Sequence, residues 1–193
     1  MKQKVINFFA GPGAGKSRLA TRTFSELKFR DVTCELALEK TKEHEWEGRT
    51  GKVRQNQDYI FAKQHFQMRR LEGEVEFIVT DAPILLTLAY GDPNYLPSLM
   101  NVAIEAHERF ENFNFFVRRG PGYDSKGRGQ TREESVGLDE NIHKILTDLK
   151  IPFVAINSIR ESADMVANYV RTYNQMGKSN EDAQRHFLKS QTL

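Results

Sequence analysis

The sequence predicts an α/β fold, a three-layer sandwich of helices around a five-stranded parallel sheet. Five apolar runs of strand length stand apart along the chain: Val5 to Phe9, Val32 to Leu38, Val75 to Thr80, Phe113 to Val117 and Phe153 to Ile156. Most are continuous rather than alternating, which suits strands covered on both faces of a parallel sheet. Between the runs, apolar residues recur at helical spacing. Strands alternating with helices argue for a doubly wound sheet with right-handed crossovers.

The first strand runs into Ala10-Gly11-Pro12-Gly13-Ala14-Gly15-Lys16-Ser17, and a helical stripe of Leu19, Ala20, Phe24 and Leu27 follows. Strand, glycine loop and helix in that order make the loop a P-loop. Glycines let successive backbone N–H groups point at phosphate oxygens, and the helix N-terminus adds partial positive charge. In this motif Lys16 reaches the β- and γ-phosphates, the Ser17 hydroxyl ligates Mg²⁺, and Gly11, Gly13, Ala14 and Gly15 line the cradle. Ala10 stands where the usual pattern has its first glycine, a mild departure at a strand end.

Beyond the second strand, residues 41–56 are dense in charge and hold the single tryptophan, Trp46, with Arg49 beside it. Trp46 either stacks on a base or covers part of the core. Gln57, Phe61, Gln64, Met68 and Leu71 then fall on one helical face. Two glutamines among core-facing residues need partners, supplied by a bound base or by the fold itself. The third strand ends in Phe77-Ile78-Val79-Thr80-Asp81, which has the form of a Walker B element with Asp81 toward Mg²⁺, and Pro83 sets the next turn.

Leu99, Ala103, Ala106 and Phe110 mark a helix before the fourth strand. Residues 118–132 then crowd Arg118, Arg119, Lys126, Arg128 and Arg132 among Gly120, Gly122, Gly127 and Gly129. Such a loop is either a solvated basic connection or a lid that closes over a triphosphate and stabilises transition-state charge. The mix of hinge-capable glycines and guanidinium groups favours the lid, with Arg128 and Arg132 as phosphate contacts; Arg119 belongs either to it or to the end of the fourth strand. A capping box, Thr131-x-x-Glu134, opens the helix carrying Leu138, Ile142, Ile145, Leu146 and Leu149, and Ser158-x-x-Glu161 opens the one carrying Val166, Tyr169, Val170 and Tyr173. Residues 176–193 read as a polar tail, leaving residues 1–175 as one domain.

Composition bounds the function classes. The chain has 193 residues, 39% hydrophobic and 28% charged, enough for a sizeable core and against a disordered or membrane protein. Twenty-eight Lys and Arg against 26 Asp and Glu leave a net charge of +2, so any basic site must be local. Cys34 is the single cysteine, so no internal disulfide forms and a reducing, cytoplasmic compartment is expected. No signal peptide and no apolar run near the ~20 residues of a membrane helix is evident. His44, His65, His107, His143 and His186 show no metal-ligand spacing.

The P-loop, the Asp81-Ala82-Pro83 turn and the stretch from Arg118-Arg119-Gly120-Pro121-Gly122-Tyr123 to Gly127-Arg128-Gly129-Gln130-Thr131 resemble phage-encoded P-loop kinases. These are similar to the ribosylnicotinamide kinase domain and, more distantly, to deoxynucleoside kinases. The resemblance covers most of residues 4–157. It implies a strand order 2-3-1-4-5, a lid at about 118–132, an acceptor-side insertion at about 41–71, and ATP with Mg²⁺ at the carboxyl ends of the strands. Some members of this phage group are implied to be DNA kinases that phosphorylate 5-hydroxymethyluracil within DNA during base hypermodification, in the host cytoplasm; others are implied to act on free nucleosides or nucleotides.

Deoxynucleoside kinases place a general-base carboxylate just after the second strand. Glu39 holds the matching position, with Glu35 the alternative. Their following helix carries a glutamine that reads the base edge, which Gln57 or Gln64 would supply. The family's Glu-Arg-Ser triplet after the third strand is replaced here by Asp81-Ala82-Pro83, so its acceptor geometry does not carry over. The expected activity is ATP-dependent phosphorylation of a nucleoside-like hydroxyl, with Lys16, Glu39, Arg128 and Arg132 as catalytic residues and Arg119 on the nucleotide. Among other classes, a GTPase switch lacks an Asn-Lys-x-Asp guanine reader, a motor subunit lacks residues after the fifth strand for a helical lid domain, and a non-catalytic nucleotide-binding module leaves Lys16, Ser17, Asp81 and Glu39 together unexplained.

Overall fold

The computed structural model describes residues 2–39, 56–92, 94, 96–120 and 131–176. In chain order these form β1 (Lys4–Phe9), α1 (Lys16–Lys28), β2 (Cys34–Leu36), α2 (Gln57–Arg69), β3 (Phe77–Thr80), α3 (Leu86–Tyr90), α4 (Ser98–Glu108), β4 (Glu111–Arg118), α5 (Arg132–Asp148), β5 (Val154–Asn157) and α6 (Arg160–Met176). The five strands make one sheet in the order β2-β3-β1-β4-β5, every pair parallel. This is the predicted α/β architecture, consistent with a P-loop NTPase-like fold.

The continuous apolar runs have the reason expected of them: both faces of the sheet are covered. Ile6 and Phe8 of β1, with Phe113 and Phe115 of β4, pack on one face with Leu19 and Leu27 of α1 and Val166 and Val170 of α6. Val5 and Phe9 turn to the other face, with Phe61 and Met68 of α2, Ala103 and Ala106 of α4, and Ile142 and Leu146 of α5. Burying a side chain of this size contributes about 1.5–3 kcal/mol.

Several boundaries differ from the sequence reading. The run 32–38 yields only Cys34–Leu36 as strand, although Ala37 N–H still donates to Val79 O at 2.9 Å. Residues 57–69, expected in an acceptor-side insertion, are α2, the crossover helix between β2 and β3; its inner face of Gln57, Phe61, Gln64 and Met68 is the predicted one. The short helix α3 was not anticipated, because five residues carry too little periodicity to register. Thr131 caps α5 with the predicted capping box complete. The Ser158 box is not what the geometry favours: α6 starts at Arg160, and the Ser158 hydroxyl accepts from Arg18 Nη2 at 2.8 Å. That serine is drawn to α1 rather than to its own helix. The helix runs to Met176, and the rest of the expected tail lies outside the described residues.

Cys34 is buried in the core, and burial pushes its thiol up to about 11, so it packs as a small apolar residue. His107, at the end of α4, is also buried, and desolvation pushes its imidazole down to about 4. An unfolded histidine titrates near 6.5, so between these values the unfolded chain binds the extra proton. This contribution to stability is full above about pH 6.5 and is lost as pH falls toward 4. Urea unfolding at pH 7 and pH 4.5 should show His107→Gln losing about 2–3 kcal/mol less than wild type; equal losses would remove His107 as the cause.

Candidate functional site

The site is built where β1 gives way to α1, in the middle of the sheet. Gly13 and Gly15 take positive φ of 79° and 99°, and Gly15 is the N-cap of α1. An N-cap in this conformation turns the chain sharply into the helix, and the amides that open the helix have no partner four residues back. Gly15 is also pinned sterically, since a Cβ there would lie 2.0 Å from Ser158 Oγ at the end of β5.

Lys16 is 8% exposed, and its Nζ donates to Gly11 O at 3.0 Å. Burial pulls its pKa below the 10.5 of a solvated lysine; Glu39, Asp81 and Asp139 act the other way, and Arg119 adds to the lowering. Three carboxylates from three parts of the chain thus act on the Lys16 ammonium through their charge. Asp81 directly follows β3, is 4% exposed, and its Oδ1 accepts the Glu39 N–H at 2.8 Å. That bond fixes the backbone after β2 beside the end of β3, which brings Glu39 to the site with its side chain exposed. Glu35, the alternative, is exposed on β2, pairs in register with Ile78, and its Oε1 accepts the Leu36 N–H. It stands on the edge strand three residues short of Asp81's level.

The two glutamines part company. Gln64 Nε2 donates to Ala37 O and to Thr80 Oγ1, each at 3.0 Å, and Thr80 Oγ1 donates to Ala37 O at 2.7 Å. The base-reading role expected of Gln64 is corrected on this point: its amide N–H groups tie α2 to the ends of β2 and β3. Gln57 is buried at the start of α2, with Thr87 Oγ1 approaching its backbone carbonyl at 3.4 Å.

Arg119 follows β4 directly, so the expected lid loses both its ends: Arg118 is the last residue of β4, and Arg132 is the exposed first residue of α5. The Arg119 side chain is 8% exposed and forms a wall of the glycine loop. Nε donates to Asp139 Oδ2 at 2.8 Å, Nη1 to Pro12 O at 2.7 Å and Nη2 to Ser135 O at 3.2 Å. Trp46, Arg49, Lys126 and Arg128 lie outside the described residues.

Asp139 was missed in the sequence. A signal existed: Ser135 and Asp139 are one turn apart on α5, flanking Leu138 and Ile142 of its apolar stripe, so they share its inward side. Arg18 was also missed; its Nη2 donates to Ser158 O at 2.6 Å, closing the end of β5 over the start of α1.

The donor set fits a bound polyphosphate and a hard cation. The amides that open α1 and the Lys16 ammonium suit phosphate oxygens, while Ser17 and Asp81 offer oxygen ligands. Among the described residues no three His, Cys, Asp or Glu converge as a metal cage. A Mg²⁺ that arrives with phosphates needs none, because phosphate oxygens and water complete its octahedron. Among the described residues no helix is long and apolar enough to cross a membrane. No protein-family model matches the chain, and a search of curated proteins finds no match.

Proposed function

We propose that the protein is an ATP- and Mg²⁺-dependent kinase that transfers the γ-phosphoryl group to a hydroxyl of a nucleoside-like acceptor. One observation carries this reading: a buried lysine at the head of α1, beside a left-handed glycine turn, feels the charges of Glu39 and Asp81, which a hydrogen bond joins beyond β2 and β3. Phosphate amides, a cation and a carboxylate for the acceptor proton thus meet at one edge of a parallel sheet, where such folds bind ligands.

In the reaction, the acceptor oxygen attacks the γ-phosphorus, the bond to the ADP oxygen breaks, and the hydroxyl proton passes to Glu39. Lys16 and the amides of residues 13–17 offset charge on the migrating group and the leaving phosphate. Ser17 and Asp81 would hold a Mg²⁺ that comes with the phosphates, and it would supply further charge neutralisation. The barrier falls through positioning and electrostatics rather than through covalent chemistry.

Within this class the favoured acceptor is 5-hydroxymethyluracil in phage DNA, with free nucleosides or nucleotides as the alternative. The sequence resemblance supports it, and so does the outer face of α2. Tyr59 and Phe66 there are 48% and 69% exposed, interleaved with Lys63 and Arg70. Lys63 Nζ lies 5.9 Å from the Tyr59 ring centre. Bases stack on such rings for about 1–3 kcal/mol each. The test is incubation with labelled ATP and a panel of nucleosides, nucleotides, and DNA with and without hydroxymethyl bases. Label on hydroxymethylated DNA alone, with binding that weakens steeply in salt, is the expected result. Label on a free nucleoside reassigns the acceptor, and rapid ATP hydrolysis with no labelled acceptor overturns the kinase.

A further inference from the structure

We propose that Asp139 is a positioning residue for the phosphate cradle, one that holds the glycine loop in its anion-binding shape from the neighbouring helix α5; the inference rests on the nucleotide-binding reading of that loop. Among the described residues Asp139 bonds Gly11 and Arg119 and makes no hydrogen bond to Lys16 or Ser17. It acts through Gly11, Arg119 and Pro12. Its Oδ1 accepts the Gly11 N–H at 2.6 Å, and the Gly11 carbonyl in turn accepts from Lys16 Nζ at 3.0 Å. Its Oδ2 accepts from Arg119 Nε at 2.8 Å, and Arg119 Nη1 carries the hold on to Pro12 O at 2.7 Å.

One carboxylate thus fixes two successive residues of the loop, Gly11 directly and Pro12 through a guanidinium. The consequence is electrostatic as well as steric. A carbonyl free to swing toward the cradle would repel a polyanion, and here the Gly11 and Pro12 carbonyls are both engaged by cations. The side chains of Arg119 and Asp139 are 8% and 15% exposed, where charge-assisted hydrogen bonds are little weakened by water. The loop and α5 also meet at backbone distance: a Cβ at Gly11 would lie 2.7 Å from Ser135 O and 3.0 Å from Asp139 Oδ1. A helix this close, firmly capped at Thr131, gives the carboxylate a rigid base.

The experiment measures MgATP affinity, steady-state kinetics and urea midpoints on the full chain for wild type, Asp139→Ala, Asp139→Asn and Ile142→Ala. Ile142 is buried one turn along on α5 and serves as the control for a merely weakened helix. Expected are MgATP binding weaker by about tenfold or more in Asp139→Ala, partial rescue in Asp139→Asn, which keeps an acceptor for Gly11, and an affinity within about twofold of wild type in Ile142→Ala. KM for ATP should rise more than kcat falls. The Gly11 amide proton resonance should move upfield in Asp139→Ala. Unchanged affinity in Asp139→Ala, or an equal loss in Ile142→Ala, overturns the positioning role. Wild type that fails to bind MgATP overturns the nucleotide reading beneath it, a separate outcome that the Gly11 resonance distinguishes.

Discussion

Lys16→Ala should lose phosphoryl transfer to every accepted alcohol, by at least about 10²–10³-fold, while the protein stays folded. The lysine is the one cation that the glycine loop itself supplies, and the developing charge on the transferred group has to be met there. Stability should move the other way. Burial is the largest influence on Lys16 and outweighs the attraction of Glu39, Asp81 and Asp139, so its charged form is disfavoured in the fold. The folded pKa lies below 10.5, so the unfolded chain holds the proton more readily and stability rises with pH through the window beneath that value. At neutral pH the buried charge is therefore a cost, and its removal should leave the melting temperature level or higher. A labelled-ATP assay beside a melting curve reads both effects. Transfer at the wild-type rate would defeat the functional reading; a collapse in melting temperature would mean that Lys16 chiefly holds the fold together.

The second large effect is expected at Gly15→Ala. Two costs coincide there. Alanine at φ 99° is strained by about 1–3 kcal/mol, and its Cβ would lie 2.0 Å from Ser158 Oγ and 3.1 Å from Ser158 Cβ. Rotating the Ser158 hydroxyl away relieves the crowding but breaks its bond from Arg18, and the backbone strain stays at the turn that opens α1. The variant should unfold at lower urea and bind MgATP weakly or not at all. Adding Ser158→Ala separates the costs, because it removes the hydroxyl at 2.0 Å but leaves the backbone strain. The double variant should regain part of the lost stability and little of the affinity. Full recovery would show that crowding alone was at fault; wild-type affinity in the single variant would deny the loop its role as a cradle.

Some of this molecule was legible because it is written locally. The glycine loop, Lys16 and Ser17 occupy consecutive positions, so one short window holds both the turn chemistry and the cation. The Thr131 capping box spans one helical turn and was read correctly for the same reason. The covered strands announced themselves because burial on both faces leaves no room for polar alternation. Gln64 was harder: periodicity placed it facing inward, but whether its amide met a base or the ends of β2 and β3 depended on what lay opposite.

The strand order and the partnership between distant residues lay beyond local patterns. Strand order 2-3-1-4-5 came from resemblance, not from spacing, since any parallel order buries the same apolar runs. Glu39 reaches Asp81 because its N–H meets that carboxylate across 42 residues, whereas Glu35 pairs with Ile78 once β2 and β3 are in register. Gly11 meets Asp139 across 128 residues, and Arg18 meets Ser158 across 140. By itself, then, the sequence determined the layers, the glycine turn and the lysine that follows it. Only the tertiary structure decided which carboxylate and which arginine hold the loop. The physical reason is that backbone propensity and burial act over a few residues, whereas a hydrogen bond between side chains selects its partner by distance in space, which chain order does not record.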